Sequence, residues 1–268
     1  MFAAKSKMKS SAKGFRRAAS LTTVACAAMA AVALPGCTKV DTSAPSSVRK
    51  DGTSLSAGAR GKFGTVDCRK AKCVALTFDA GPSENSPRLL DILKEEKVPA
   101  TFFLLGKNHI AEHPGLVKRM EDEGHEVANH TWSHKILTDV TPDAARRELR
   151  RTDEAIEKLI GHKPTLMRPP QGRTNPDIND ISRKEGLAEV LWSVTAKDYT
   201  TDDSALIQKR VVDQTERDGI ILLHDIYKGT VPAVPGIIDE LRKRGYVFVT
   251  VPQLLAPGKA EAGKIYRP

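Results

Sequence analysis

The 268-residue chain carries 42 basic and 33 acidic residues, a formal net charge of +9, with 40% apolar and 5% aromatic side chains. Six of the basic residues and no acidic one precede Cys37, so the remainder holds 36 basic against 33 acidic residues, or +3. That near-balance gives no electrostatic reason to expect nucleic-acid binding, and the length allows one domain with a sizeable core.

The chain opens on Lys5, Lys7, Lys9, Lys13, Arg16 and Arg17, then runs apolar over 18–34 and reaches Leu34-Pro35-Gly36-Cys37. A basic start, a short apolar stretch and a small residue before the cut predict a secretory signal over 1–36. Cys37 resembles the acylated cysteine of a bacterial lipobox, which implies a lipoprotein on the extracellular face of the cell membrane. An uncleaved anchor is the alternative, for which the apolar run is short. Residues 37–64, rich in Ser, Thr, Ala and Gly, read as a flexible tether from the lipidated cysteine. The folded domain is expected over 65–256, with a loose tail at 257–268. Cys68 and Cys73, close together in an exported protein, are expected to form a disulfide. The alternative, a zinc-binding pair, lacks a second pair of cysteines.

Within the domain, short apolar and β-branched runs fall at 74–78, 101–105, 126–128, 165–167, 189–194, 220–223 and 246–251. Segments of helical spacing lie between them, at 87–96, 114–123, 142–160, 176–184, 204–217 and 234–244. Ser86-Pro87, Thr141-Pro142 and Asn175-Pro176 are start signals, and Gly124, Gly161, Gly186 and Gly245 are stops. The alternation predicts an α/β fold with a parallel sheet flanked by helices, either closed as a barrel or open and doubly wound. No glycine-rich phosphate loop follows the first strand, which argues against nucleotide binding.

Reactive residues collect at strand ends. Asp79 follows the first strand, His130 and His134 the third, Arg168 the fourth, Asp198 the fifth and His224 the sixth. In parallel β/α architectures these loops open onto one face, and that face holds the active site. Each residue alone has a structural reading: Asp79 as a cap, Arg168 as a surface ion pair, His224 as a core histidine. Five loops delivering ionisable groups to one face do not. The four-residue spacing of His130 and His134 places both imidazoles on one side of a helical turn, able to share a metal ion. No Glu follows His130, so the pair is not that of an H-E-x-x-H metalloprotease.

Together these residues resemble the NodB-like polysaccharide deacetylases, over 73 to about 255. Thr77-Phe78-Asp79-Ala80 resembles T-F-D-D, and His130-Thr131-Trp132-Ser133-His134 matches H-[ST]-x-x-H. Arg168-Pro169-Pro170-Gln171-Gly172 is similar to R-x-P-Y-G, Asp198-Tyr199 to an Asp-Trp pair, and Leu222-Leu223-His224 to L-x-H. The resemblance implies a distorted (β/α)₇ barrel in a single catalytic domain. It implies Asp79 as general base, His224 as general acid, and Arg168 and Asp198 as the groups that orient them. It implies His130 and His134 as ligands of a divalent metal, zinc in most members. Gln171 takes the place of a Tyr whose backbone N–H meets the oxyanion, and Trp132 and Tyr199 are candidate sugar-stacking rings. Ala80 replaces the second Asp, the family's third metal ligand, so zinc is expected to bind loosely.

The implied activity is removal of N-acetyl groups from a cell-wall glycan such as peptidoglycan or a chitin-like polymer. The alternatives are O-acetyl esterase activity of the acetylxylan type, and a non-catalytic glycan-binding relative, which Ala80 suggests. The expected partners are the polysaccharide and, through the lipid, the membrane; the chain is expected to act as a monomer.

Overall fold

The computed structural model describes residues 40–50 and 63–268; the expected signal and Cys37 lie outside them. In chain order the described residues form β1 (Thr42–Ser43), α1 (Pro45–Lys50), β2 (Lys72–Gly81), α2 (Ser86–Glu95), β3 (Thr101–Leu104) and α3 (Pro114–Glu123). Next come β4 (Glu126–Asn129), α4 (Pro142–Ile160), β5 (Leu166–Met167), α5 (Pro176–Glu185), β6 (Ala188–Val190) and β7 (Val194–Thr195). The last elements are α6 (Ser204–Gln214), β8 (Ile220–His224), α7 (Thr230–Lys243), β9 (Tyr246–Val249), α8 (Val251–Leu255) and β10 (Ile265–Tyr266).

The strands pair in parallel in the order β1-β10-β6-β5-β4-β3-β2-β8-β7, with β9 also on β2. β6 and β7 lie toward opposite ends of this order, yet only Leu191, Trp192 and Ser193 separate them. Four residue steps reach at most about 14 Å. The sheet must therefore curl until β6 and β7 come together, with β10 and β1 continuing beyond β6, giving the expected distorted barrel with a seam of backbone rather than a ladder. The sequence reading of one strand over 189–194 is corrected here. Leu191 N–H bonds to Tyr266 O and Ser193 N–H to Ile220 O, so the chain changes neighbours across the seam. An unbroken apolar run hides that change.

Alternation along the strands sorts the side chains. Val74, Leu76 and Phe78 of β2 pack with Leu89, Leu93 and Ile237 in the layer beneath the helices, whereas Cys73 and Ala75 join Phe103, Ala128, Leu166 and Ile220 in a second cluster inside the barrel. Extending that inward row by period two reaches Thr77 and Asp79 on β2, His130 after β4, Arg168 after β5 and His224 on β8. The rows that fill the barrel low down thus deliver its polar groups at the carboxyl end.

The helices match their expected spans closely, with α7 beginning four residues early. Thr141, Asn175 and Asp203 cap α4, α5 and α6 by accepting backbone N–H groups. Ser86 is not the cap expected of it: it is already the first residue of α2, and its hydroxyl donates to the Asp225 carboxylate. Cys68 and Cys73 form the expected disulfide at the amino end of β2.

Two expectations about the ends are corrected. Part of the segment read as tether folds onto the domain: β1 pairs with β10, and Arg49 of α1 donates to Leu254 O and pairs with Asp218. The segment read as a loose tail supplies β10, whose Tyr266 is fully buried. Two-residue strands and a six-residue helix are too short to show a period. Among the described residues no helix is long and apolar enough to cross a membrane.

Candidate active site

Asp79 and His224 occupy facing positions in the β2–β8 ladder. Adjacent strands lie about 4.8 Å apart, so backbone pairing alone sets these two groups side by side. Arg168, fully buried, donates from Nη1 to Asp79 Oδ1 (2.6 Å) and Thr77 Oγ1 (2.8 Å), and from Nε to Val190 O (2.9 Å). Its guanidinium also lies over the Phe103 ring at 4.1 Å. Asp79 therefore has one oxygen fixed, and its Oδ2 faces His130 Nε2 at 3.8 Å.

His130 donates from Nδ1 to Arg168 O (2.7 Å), which leaves the Nε2 lone pair toward the cavity. Burial pulls its pKa down to about 4, against the opposing charge of Asp79, so the ring is neutral near pH 7. The His134 ring lies 5.0 Å from that of His130, centroid to centroid. The helical turn expected for this pair is absent. Residues 130–134 form a loop in which Thr131 and His134 have φ of 76° and 59°. Asn129 Oδ1 accepts from Thr131 N–H, Thr131 Oγ1 from His134 N–H, and Glu148 takes both Ser133 N–H and Oγ–H. Local side-chain bonds of this kind outcompete a helix.

His224 is held by Asp198: Nδ1 lies 2.9 Å from Oδ1, and the His224 backbone N–H donates to Oδ2 (2.7 Å). Thr230 Oγ1 donates to the same Oδ2 (2.8 Å). Burial works to lower the His224 pKa, but the Asp198 hydrogen bond and charge, with Asp79, outweigh it and the net shift is upward. The imidazolium is favoured, with Nε2–H left for the pocket.

These groups line a cleft of ≈ 470 Å³ in which Asp79, His130, His134 and His224 meet. Its walls are Gln171, Trp192, Tyr199 and Tyr227. Tyr199 is 54% exposed, and Tyr199 and Tyr227 approach the His224 ring edge-on at 6.1 and 5.5 Å. Trp132, expected as a sugar platform, lies outside this cleft; its ring packs against Gly106 and under Arg151. Sequence reading missed Trp192 and Tyr227. Trp192 was legible only through the seam, and Tyr227 lies three residues past His224, where the motif ends.

The donors suit a divalent cation in part. Two neutral imidazoles, one oriented by a backbone carbonyl, are the ligands and outer support that zinc takes. Ala80 has no donor atom, and among the described residues no group of three or more His, Cys, Asp or Glu has metal-holding geometry. The chain thus offers a two-imidazole site rather than a complete one.

Residues 67–190 match the family model described as Polysaccharide deacetylase. The peptidoglycan-N-acetylglucosamine deacetylase PgdA of Listeria monocytogenes is 37% identical over 196 residues, or 73% of this chain and 41% of that protein, so the chain spans about two fifths of its length. A solved structure described as T48 deacetylase with substrate is 42% identical with a TM-score of 0.72, over 75% of this chain and 100% of that one. A Bacillus anthracis structure described as a CE4 family pseudoenzyme is 27% identical with a TM-score of 0.66, over 74% of this chain and 70% of its own.

Proposed function

The chain belongs to the polysaccharide deacetylase family, and from that premise we propose that it hydrolyses N-acetyl groups of peptidoglycan. The observation that carries this reading is the facing pair on β2 and β8: a carboxylate with one free oxygen beside an imidazole whose far nitrogen is tied to a second carboxylate.

Asp79 Oδ2 accepts the proton of the water that attacks the acetyl carbon, while Arg168 on Oδ1 keeps the carboxylate from turning. His224 donates its Nε2 proton to the departing amine, without which an amide is a poor leaving group. Asp198 holds the tautomer and the charge that this requires. A divalent cation held by His130 and His134 would polarise the acetyl carbonyl and acidify water. Gln171, left-handed at φ 59° on the rim, is the residue whose backbone N–H is offered for the developing oxyanion. Trp192, Tyr199 and Tyr227 supply ring faces for a sugar.

The test is acetate release from peptidoglycan, chitin oligomers and acetylated xylan, with and without zinc or cobalt, comparing wild type with Asp79→Asn. Release from peptidoglycan that Asp79→Asn abolishes supports the reading. Release from xylan alone would make the chain an O-acetyl esterase. No release under saturating metal would make it a binding protein, an outcome that the missing ligand at Ala80 would explain and the intact Asp79, Arg168, Asp198 and His224 argue against. Export and lipidation at Cys37 complete the proposal; they rest on the leader sequence and are checked by mass spectrometry of the mature protein, while action as a monomer beside the wall is checked by light scattering.

A further inference from the structure

A second cleft leads away from the catalytic pocket. His134 lines both the pocket and a smaller cleft of ≈ 280 Å³ that also holds Lys107 and Ser133. Lys107 and Ser133 in turn line an outer cleft of ≈ 460 Å³ with Trp132, Lys135, Glu148 and Arg151. Each cleft therefore shares lining residues with the next, which sets the outer one beside the loop that carries the imidazole pair.

The outer cleft is cationic by construction. Its one carboxylate, Glu148, is 6% exposed, already accepts from Ser133 N–H and Ser133 Oγ–H at 2.7 and 2.8 Å, and pairs with Lys135 at 3.4 Å. Lys107 and Arg151 have no carboxylate partner among the described residues. Both are nevertheless placed by the fold. The Lys107 backbone N–H bonds to Trp132 O (2.7 Å), and Gly106 N–H to Thr131 O (3.1 Å), which ties this turn to the histidine loop. Gly106 is required there, because a Cβ would lie 2.0 Å from the Trp132 ring. Trp132 in turn carries the Arg151 guanidinium on its face at 4.2 Å. A stacked guanidinium keeps its edge N–H groups free and in one plane, the geometry that takes a carboxylate two-pronged.

We propose that this outer cleft is a subsite for a carboxylate on the glycan, so that the enzyme selects N-acetylated strands carrying acidic substituents over neutral ones. The inference rests on the deacetylase reading for its substrate class and adds what that reading lacks, a physical basis for choosing peptidoglycan over chitin. The carboxylate would be the free lactyl carboxylate of an N-acetylmuramic acid adjacent to the reacting sugar. Trp132, expected as a sugar platform but lying outside the catalytic pocket, becomes the support of the arginine that reads charge.

The experiment is binding, measured by titration calorimetry on the full chain. The probes are a tetrasaccharide of alternating N-acetylglucosamine and N-acetylmuramic acid and the neutral chitin tetramer. Wild type is expected to prefer the acidic oligomer about tenfold, and the preference should shrink at high salt. Lys107→Ala/Arg151→Ala should abolish the preference while binding the neutral oligomer as wild type does, which also shows that the variant is folded. Equal binding of the two oligomers by wild type, or equal loss of both in the variant, overturns the proposal. Acetate release is a separate readout: selective binding without release would sink the deacetylase reading and leave the subsite standing.

Discussion

His224 and Asp198 meet through two contacts at once, side chain to Oδ1 and backbone N–H to Oδ2. The backbone contact locks the carboxylate in place, so the side-chain contact cannot be lost by a simple rotation of Asp198. Removing the charge while keeping the shape separates the two effects. Asp198→Asn should lower the His224 pKa, because the charge that raises it is gone. A general acid works only while protonated, so the alkaline limb of the kcat profile is expected to move to lower pH, with kcat down by about 10²–10⁴. A pH–rate profile of both proteins on peptidoglycan checks this.

Arg168→Met should be severe for stability as well as activity. Arg168 is 0% and Asp79 3% exposed, so loss of the guanidinium strands a buried carboxylate, at a cost of about 3–5 kcal/mol. Urea unfolding should show that loss, and Asp79→Asn added to Arg168→Met should recover most of it.

Ala80→Asp should tighten zinc binding. It restores an oxygen donor beside the imidazole pair and suits the backbone, since Ala80 has a φ of 66° that Asp tolerates better than Ala. Calorimetry should find loose binding in wild type and an affinity at least about tenfold greater in the variant.

Gly81→Ala tests the contact beneath the catalytic loop. A Cβ at Gly81 would lie 2.6 Å from Asp225 Oδ1, while the same side chain receives Ser86 through Oδ2 and its backbone carbonyl accepts from Ser83 and Asn85. The variant should lose about 1–3 kcal/mol. Burial raises the Asp225 pKa to about 6, against the Ser86 hydrogen bond. Its contribution to stability is therefore full below about pH 4 and lost as pH rises through 6. Asp225→Asn should flatten that decline in unfolding curves recorded from pH 4 to 8.

Strand and helix positions were legible because their periods are long enough to read, and parity along β2, β4, β5 and β8 already implies that Asp79, His130, Arg168 and His224 share one interior. What the sequence concealed lies in features without a period. The imidazole loop is built by Asn129, Thr131 and Glu148, none of which announces a left-handed backbone. The seam at 191–193 reads as more strand. The folded ends at Arg49 and Tyr266 depend on partners some 200 residues or more away, Leu254 for one and β1 for the other.

The seam also sets what can change in this molecule. Leu191, Trp192 and Ser193 hold β6 and β7 together where the sheet curls, and put an aromatic face into the cleft. One added residue there would slacken the girth of the barrel and swing the tryptophan at the same time. Barrel closure and one wall of the cleft thus share a single drawstring, so a change in its length should alter both together.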